Sequence, residues 1–459
     1  MNLPSTFTRR MRALMGAESE ALFAALEQPP LVGLRVNTLK IRPEEFRALV
    51  PWELEPVPWC PAGFIVTSDA QPGKHPYHAA GLYYLQEPSA MAVAAALAPQ
   101  LGERVLDLAA APGGKATHLA ALINDTGLLV ANEIESSRTR GLASNLERWG
   151  SRHAVIMNEA PQRLAERWGA IFDRVLVDAP CSGEGMFRKT PAALTEWSEE
   201  HVHGCSARQR RLIDTAAALV RPGGFMGYST CTFAPEENEQ VIADFLAEHE
   251  DFALRPIALP GVSHGRPSWA GQQSERADMT LTARLWPHMQ RGEGHFVALL
   301  QRTSGDEAHA PPLAVNEAPR QARAMWRAFV AATMTNDPAA DAQLTLFGAH
   351  LYAVPEDTPP VDGMRVVRGG LWLGTIQRDR LEPSHSLALA LRAADARQSL
   401  DLQPEDERLA RYLQGHPLPE AGEPGWVLIT VSGFPIGWGR RAQGIIKNAY
   451  PKGLRRPLA

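Results

Sequence analysis

Two cysteines directly follow strand-like runs, in a setting where a thiol can act as a nucleophile. Cys181 comes three residues after Asp178, and Cys231 comes three residues after Tyr228. A lone buried cysteine usually packs as an inert apolar group. Two cysteines at equivalent strand ends, one of them close to an aspartate, favour covalent catalysis instead.

The chemistry that fits such a pair of thiols is alkylation of a pyrimidine. Carbon 5 of cytosine is a poor nucleophile, so a thiolate must first add to carbon 6 and create an enamine that can attack a methylsulfonium. This addition requires a proton or hydrogen bond at N3 of the base, which a carboxyl group at Asp178 can supply. Helix capping is the alternative role for Asp178. After transfer, the carbon 5 proton and the thiol must both leave, and a second polar group near the first thiol would assist.

A glycine-rich segment offers a candidate cofactor site. It reads Asp107-Leu-Ala-Ala-Ala-Pro-Gly-Gly-Lys115 and lies between a predicted strand and a helix predicted to start near Ala116. Glycines let backbone N–H groups approach a ligand, and a helix N-terminus attracts a carboxylate or phosphate. Glu133 ends the next predicted strand, where a carboxylate can bind two ribose hydroxyls.

Several cofactors compete for this segment. A Walker A loop requires glycine and Ser/Thr at the positions that Ala109 and Ala116 occupy, so a nucleoside triphosphate does not fit. The dinucleotide pattern G-x-G-x-x-G is also absent. S-adenosylmethionine therefore ranks ahead of NAD, while a plain glycine-rich turn followed by a surface glutamate stays open as an alternative.

The elements that must position these residues are short apolar strands alternating with amphipathic helices between residues 102 and 300. Such alternation predicts a parallel, doubly wound sheet. Ligands bind at the carboxyl ends of the strands in sheets of this kind, so we expect the chemistry just after each apolar run. The predicted strands are residues 104–108, 128–133, 153–157, 174–178 and 224–229.

The composition is that of an ordinary globular protein. The chain has 459 residues, of which 45% are hydrophobic and 21% charged, with a formal net charge of -5. A fully disordered or collagen-like chain is thereby excluded. No run approaches the ~20 apolar residues of a membrane helix, and no signal-peptide core follows the start, so we expect a cytoplasmic protein without a membrane partner. Cys60 and Cys205 are interpreted as structural, and the four cysteines are too scattered for a disulfide framework or a zinc site.

At these motifs the sequence resembles the Sun-type family of RNA cytosine-5 methyltransferases. The resemblance rests on three segments, residues 107–115, 178–185 and 229–232, and extends to residues 34–38, 86–91 and 292–296. It implies an α/β fold, namely a Rossmann-like class I S-adenosylmethionine-dependent methyltransferase domain. A small N-terminal α/β region would precede this domain, and a C-terminal α+β region ending in a PUA-like β module would follow it.

The resemblance also implies a role for each motif residue. The family cysteine that matches Cys231 is the nucleophile, and the one that matches Cys181 assists product release. Asp178 matches the aspartate that engages the base, Lys115 the active-site lysine, and Glu133 the ribose ligand. The implied cofactor-binding residues are Ala109, Ala110, Ala111, Pro112, Gly113, Gly114, Lys115, Glu133 and Asp178.

One position departs from the family pattern. Many members carry an aspartate after the third strand that binds the adenine, whereas the residue that aligns best here is Ala160. Adenine recognition is therefore expected to rest on the backbone, on Asn158 or on apolar contacts. Every implied cofactor residue precedes Cys231, so we expect cofactor binding to be independent of the chain after Arg320.

Composition and resemblance together predict the domain organisation. Residues 303–321 are rich in alanine, proline and acidic residues, which indicates a linker. The expected regions are an N-terminal RNA-binding-type α/β region (1–90), the catalytic domain (91–302), the linker (303–321), an accessory domain (322–400) and a PUA-like RNA-binding module (401–459).

The last 25 residues form a basic tail. Aromatic residues Phe434, Trp438 and Tyr450 are interleaved with the basic ones, which favours RNA because bases can stack on them. A solvated basic tail is the alternative. The basic residues are Arg440, Arg441, Lys447, Lys452, Arg455 and Arg456, and residues 435–459 contain no acidic ones.

The partner implied by the resemblance is small-subunit (16S) rRNA, free or within the assembled 30S subunit. S-adenosylmethionine is the expected cofactor, and we expect a monomer without a metal. Three alternatives stay open: a methyltransferase of another RNA such as tRNA, a DNA cytosine-5 methyltransferase with Cys181 as nucleophile, and a non-catalytic RNA-binding assembly factor. The separate Cys231 argues against the DNA enzyme, and the intact set of Lys115, Asp178 and both cysteines argues against loss of catalysis.

Overall fold

The computed structural model describes residues 3–271, 277–306 and 316–455, which contain four β-sheets. The first sheet is antiparallel, with strand order β2-β3-β1-β4, and packs against the region that follows it in the chain. The elements of this N-terminal part are α1 (Ser5–Met15), α2 (Glu18–Leu26), β1 (Gly33–Val36), α3 (Pro43–Leu49), β2 (Leu54–Val57), β3 (Cys60–Val66), α4 (Pro76–Ala79) and β4 (Tyr83–Leu85).

The largest sheet contains ten strands, and β5 to β9 in it pair in parallel. The doubly wound sheet predicted from the sequence is therefore confirmed. The elements here are α5 (Pro88–Leu97), β5 (Arg104–Asp107), α6 (Gly114–Leu122), β6 (Leu128–Asn132), α7 (Ser136–Trp149), β7 (Ala154–Met157), α8 (Pro161–Trp168), β8 (Phe172–Asp178), α9 (Pro191–Glu196), α10 (Glu199–Ala217), β9 (Val220–Thr230), α11 (Glu239–Glu248), β10 (Phe252–Arg255), β11 (Ser263–His264), β12 (Ala283–Leu285) and β13 (His295–Arg302).

Helices cover both faces of this sheet, which explains why its parallel strands are almost uniformly apolar. Side chains of α5, α6 and α7 form the core on one face, and those of α8, α10 and α11 form it on the other. No helix of the described residues is long and apolar enough to cross a membrane.

The C-terminal part contains the two remaining sheets, with strand orders β14-β15-β17-β18 and β19-β21-β22-β23-β20. Its elements are α12 (Arg320–Thr333), β14 (Gln343–Phe347), β15 (His350–Val354), β16 (Val366–Gly369), β17 (Leu371–Gln377), β18 (Arg380–Pro383), α13 (His385–Ala390), β19 (Ser399–Leu402), α14 (Glu407–Leu413), β20 (Leu418–Pro419), β21 (Gly425–Val431), β22 (Phe434–Ala442) and β23 (Ile445–Asn448).

One strand of this part belongs to another sheet. The segment at residues 364–376 is divided into two strands at Gly370, which adopts a φ of 123° that favours glycine. The half before Gly370, β16, pairs antiparallel with β7 of the central sheet, and β17 stays in the small sheet. The predicted linker is bounded by β13 and α12, and its residues 307–315 lie outside the described residues.

The basic tail differs from its expected form. Trp438 and Tyr450 are 1% and 5% exposed and pack in the protein core, so the prediction that they stack on RNA bases is wrong. Trp438 Nε1 donates a hydrogen bond to the Ser384 carbonyl at 3.0 Å. Arg441 is buried as well and bonds to Gln398, whereas Arg456 lies outside the described residues.

Candidate active site

The two candidate cysteines lie side by side beyond neighbouring strands. β8 and β9 pair in parallel with Asp178 opposite Ser229, so the turns that follow them lie next to each other. The sulfurs of Cys181 and Cys231 are 3.2 Å apart, and the Cys231 N–H donates to the Cys181 sulfur at 3.3 Å. Contact with Cys231 and burial raise the pKa of the Cys181 thiol well above its usual value. Cys181 therefore stays protonated at neutral pH.

Asp178 is held on both carboxylate oxygens. Its Oδ1 accepts from the Ser229 hydroxyl at 2.8 Å, and its Oδ2 accepts from Lys115 Nζ at 2.7 Å. Burial lowers the pKa of Lys115, but the charge and hydrogen bond of Asp178, together with the nearby Cys231 and Asp107, outweigh burial, and the pKa is raised overall. The Lys115–Asp178 pair thus presents a charged donor and a fixed carboxylate beside the cysteines.

A buried glutamate that the sequence analysis did not identify joins the two cysteine turns. Glu237 Oε2 accepts from the Ser182 N–H at 2.9 Å and from Gln209 Nε2 at 2.8 Å, and its Oε1 accepts from the Ser182 hydroxyl. The Ser182 hydroxyl also contacts the Thr232 hydroxyl at 2.8 Å. Burial raises the pKa of Glu237 to about 7. The run Pro235-Glu-Glu-Asn just beyond Cys231 was the available signal in the sequence.

The glycine-rich segment forms the turn expected between β5 and α6. Gly113 caps the helix with a φ of 111°, a conformation that disfavours a side chain. Asp107, at the end of β5, is fully buried, and neither of its carboxylate oxygens has a hydrogen-bond partner among the described residues. Burial raises the pKa of Asp107 to about 8, with the Asp178 charge as a further cause.

Glu133 follows β6 and lies at the same edge of the sheet. It is 2% exposed, and its Oε1 accepts from the Glu135 N–H at 2.9 Å. Its Oε2 has no hydrogen-bond partner in the described chain, although Arg138 Nη1 lies 3.2 Å away. The next side chain, Ile134, is apolar and 59% exposed.

These orphaned carboxylates allow a test of the expected cofactor. A buried polar atom without a partner is costly, so such atoms point to a ligand that satisfies them. S-adenosylmethionine carries an ammonium group that suits a carboxylate at Asp107 and ribose hydroxyls that suit Glu133 Oε2. An exposed Ile134 gives its adenine an apolar neighbour. The residues present therefore fit this cofactor.

The turn after β7 holds the position at which the family aspartate is missing. Asn158 donates its amide to the carbonyls of Glu133 and Ile134, at 2.7 and 2.9 Å. These bonds occupy both hydrogens of the Asn158 amide, so it supports the turn after β6. Ala160 lies at the N-cap of α8 with no side-chain hydrogen bond.

The N-terminal sheet holds helix α6 through Arg35, which the sequence analysis included only as part of a motif. This fully buried arginine donates to Gln86 at 2.8 Å, to the Thr117 hydroxyl at 2.8 Å and to the Gly114 carbonyl at 3.1 Å. Its guanidinium also lies 4.6 Å from the Trp149 ring centroid. Arg35 therefore fixes the first turn of α6, which carries Lys115.

Comparison with known families identifies matches along most of the chain. A family described as 16S rRNA methyltransferase RsmB/F matches residues 94–301. Domains described as the N-terminal domain, the first C-terminal domain and the PUA domain of the methyltransferase RsmF match residues 3–88, 328–391 and 399–456.

Full-length relatives are similar over nearly all of their length. Ribosomal RNA small subunit methyltransferase F of Serratia proteamaculans is 34% identical, with 99% of this chain and 97% of the relative covered. The protein of the same name from Klebsiella pneumoniae is 35% identical, with 99% and 96% covered.

Solved structures of similar fold cover about two thirds of the chain. A methyltransferase homologue from Pyrococcus horikoshii matches with a TM-score of 0.58 and 31% identity, over 65% of this chain and 95% of that protein. NSun6 from the same organism, solved with SFG, matches with a TM-score of 0.57 and 21% identity, over 66% of this chain and 99% of that one.

Proposed function

The chain belongs to the RsmB/F family of 16S rRNA methyltransferases, and we therefore propose that it methylates carbon 5 of a cytosine in small-subunit rRNA, with S-adenosylmethionine as donor. The observation that carries this proposal is the 3.2 Å contact between the Cys181 and Cys231 sulfurs, beside the Lys115–Asp178 pair. Two adjacent thiols and a proton donor are what addition to a pyrimidine and subsequent release require.

The cofactor would be held at the edge formed by residues 109–115, Glu133 and Asp107. When bound, S-adenosylmethionine supplies an electrophilic methyl group. Asp107 would take its ammonium group, and Glu133 Oε2 would accept from its ribose. The turn at residues 109–115, which includes the N-cap Gly113 and the first residues of α6, would supply backbone N–H groups. The similar NSun6 was solved with SFG, an analogue of S-adenosylmethionine, which supports this assignment.

Cys231 acts as the nucleophile in this proposal. Its sulfur adds to carbon 6 of the base, which makes carbon 5 electron-rich enough to attack a methyl donor. The Lys115 ammonium is close enough to the Cys231 sulfur to interact with it electrostatically. Addition places negative charge on the base, and a proton supplied by the Lys115 ammonium through Asp178 would neutralise that charge at N3.

Cys181 assists release. After methylation the carbon 5 proton passes to a solvent water, and the electron pair of that C–H bond forms the double bond between carbons 5 and 6. The bond from carbon 6 to the Cys231 sulfur breaks, and that sulfur keeps the electron pair. Cys181 has a raised pKa and stays protonated, so its S–H can donate to the departing Cys231 thiolate. Without this donor the adduct would persist.

The substrate assignment rests on the relatives and on the C-terminal domain. Proteins named small subunit methyltransferase F match the full length, and a PUA domain occupies residues 399–456. We propose rRNA, free or within the 30S subunit, as the partner of a monomeric enzyme. A DNA methyltransferase would use Cys181 as its nucleophile, but contact with Cys231 and burial raise the pKa of the Cys181 thiol, which disfavours that role.

The proposal is tested with single substitutions of the two cysteines. Cys231→Ala should abolish transfer of labelled methyl groups to 16S rRNA while S-adenosylmethionine binding, measured by calorimetry, is kept. Cys181→Ala should leave protein covalently attached to RNA on denaturing gels. Bisulfite sequencing of rRNA from cells with and without the gene would locate the modified cytosine.

Two controls make this test decisive. Cys205→Ala alters a cysteine outside the site and should leave methylation unchanged. The double variant Cys181→Ala/Cys231→Ala should form no covalent complex, because the complex depends on Cys231. Substantial methylation by Cys231→Ala would refute its role, and an enzyme that binds the cofactor but methylates no cytosine would refute the reaction.

A further inference from the structure

A strand from the C-terminal half completes the cofactor edge of the central sheet. β16 pairs antiparallel with β7, with Val366 opposite Met157 at the carboxyl end of β7. Just beyond this pair, the Asn158 N–H donates to the Arg365 carbonyl at 2.9 Å, and the Arg365 N–H donates to Glu159 Oε1 at 2.7 Å. The backbone of Arg365 therefore holds the turn at Asn158 and Glu159 from the outside.

The turn at Asn158 and Glu159 also holds the residues that we assign to the cofactor. Asn158 donates its amide to the carbonyls of Glu133 and Ile134. Asn132 makes a reciprocal pair with the backbone of Glu159, since its Nδ2 donates to the Glu159 carbonyl and its Oδ1 accepts from the Glu159 N–H, both at 3.0 Å. A displacement of Glu159 would therefore be transmitted to the end of β6.

The C-terminal segment is itself firmly attached at this place. Trp168 Nε1 donates to the Pro360 carbonyl at 2.8 Å, and the Arg163 guanidinium donates to the Gly363 carbonyl. Met364 and Val366 pack against the core that covers this face of the central sheet. The Glu159 side chain is 1% exposed, so its bond to the Arg365 N–H is shielded from water.

We propose that residues 360–366 form one wall of the cofactor site. Glu159 is then a positioning residue, because its bond to this wall fixes the positions of Glu133 and Ile134. The inference rests on the proposed use of S-adenosylmethionine. It makes the chain after Arg320 necessary for cofactor binding, whereas the sequence predicts that cofactor binding is independent of that part of the chain. The wall lies beside Ala160, where the family aspartate is missing.

A matched pair of substitutions at Glu159 tests the proposal. Glu159→Leu keeps the size of the side chain but removes the acceptor for the Arg365 N–H, so the Kd for S-adenosylmethionine should rise about tenfold. Glu159→Gln keeps an acceptor oxygen and should restore most of the affinity. The KM for the cofactor should follow the Kd, whereas kcat at saturating cofactor and the KM for rRNA should stay within about twofold of wild type.

A second pair keeps the proposal testable if Glu159→Leu does not fold. Arg365→Pro removes the same N–H from the other side. Arg365→Ala keeps this N–H and removes a side chain that is 61% exposed and lies 3.8 Å from Glu159 Oε2. We expect the proline variant to weaken cofactor binding about tenfold and the alanine variant to bind as wild type does. Unchanged affinity in Glu159→Leu or Arg365→Pro would overturn the inference. Wild-type protein that does not bind S-adenosylmethionine at all would instead contradict the proposed function.

Discussion

Glu133 has one carboxylate oxygen that the folded chain leaves without a hydrogen bond among the described residues, and this oxygen is where we expect the ribose to bind. A hydrogen bond to a charged group contributes on the order of 1.5 to 3 kcal/mol. Glu133→Ala should therefore weaken S-adenosylmethionine binding about tenfold or more in calorimetry. Glu135→Ala, which alters a neighbouring glutamate, provides the control. Equal affinities for wild type and Glu133→Ala would contradict the placement.

Asp107 should make the stability of the cofactor-free protein depend on pH. Its pKa is raised from 3.8 to about 8, so the folded state holds a proton that the unfolded state has lost. The contribution of protonated Asp107 to stability is complete below about pH 4 and is lost as the pH rises to about 8. Over this range the free energy of unfolding should fall by at most about 1.4 kcal/mol per pH unit.

Denaturant unfolding between about pH 4 and 8 measures this effect. Asp107→Asn cannot titrate, so its free energy of unfolding should fall less over this range than that of wild type. Addition of S-adenosylmethionine should stabilise the wild type most near the upper end, because an ammonium group favours the ionised carboxylate. Parallel pH profiles for the two proteins would show that Asp107 does not titrate in this range.

Among the elements of the active site, the turns after β8 and β9 are tied together by Glu237. Glu237 binds Ser182 in the turn after β8, and Ser182 contacts Thr232 in the turn after β9. Glu237→Ala leaves the Ser182 N–H without its acceptor, which should lower the free energy of unfolding by about 1 to 3 kcal/mol. Because a displacement of about 1 Å can reduce catalysis about a hundredfold, methyl transfer should fall at least tenfold.

The readouts for Glu237 separate catalysis from cofactor binding. S-adenosylmethionine affinity should be unchanged in Glu237→Ala, since this residue lies at the cysteine turns and not at the cofactor edge. Glu237→Gln keeps the shape of the side chain and one acceptor oxygen, and it should therefore retain more activity than the alanine variant. If Glu237→Ala methylated rRNA at the wild-type rate, the two turns would not depend on this residue.

For the molecule as a whole, binding of rRNA is expected to use one exposed basic strip on the C-terminal sheet. Arg440 and Lys447 are exposed and directly opposite each other on β22 and β23, and Trp426 on β21 faces Arg440 from the other side. The Arg440 guanidinium lies 5.9 Å from the Trp426 ring centroid. This strip replaces Trp438 and Tyr450 as the expected RNA contact.

Charge reversal of this strip should weaken rRNA binding without affecting cofactor binding. Each phosphate contact on a single strand contributes roughly -0.7 to the log-log slope of affinity against salt, so Arg440→Glu/Lys447→Glu should reduce the magnitude of the slope by about 1.4. The same charge change at Arg378 and Arg380, on the hairpin of another sheet, is the control. If both variants lost the same rRNA affinity and salt dependence, the cause would be a general charge effect and not a contact made by the strip.

Features that depend only on residues close together in the chain could be predicted from the amino-acid sequence. Apolar runs separated by amphipathic helices specified the parallel strands, because burial on both faces requires continuous apolar segments. The same pattern located Cys181, Cys231 and Glu133 at the strand ends. Pairing of β8 with β9 in parallel then brought both cysteines to the same edge of the sheet, as expected from their positions.

Only the tertiary structure shows which distant groups contact each other and which side chains are buried. Trp438 and Tyr450 alternate with basic residues in the sequence, yet they pack in the core, because burial depends on the elements that cover a sheet. Glu159 contacts Arg365 across 206 residues of sequence. No local pattern records such a contact, since it arises from the pairing of β16 with a sheet formed by much earlier parts of the chain.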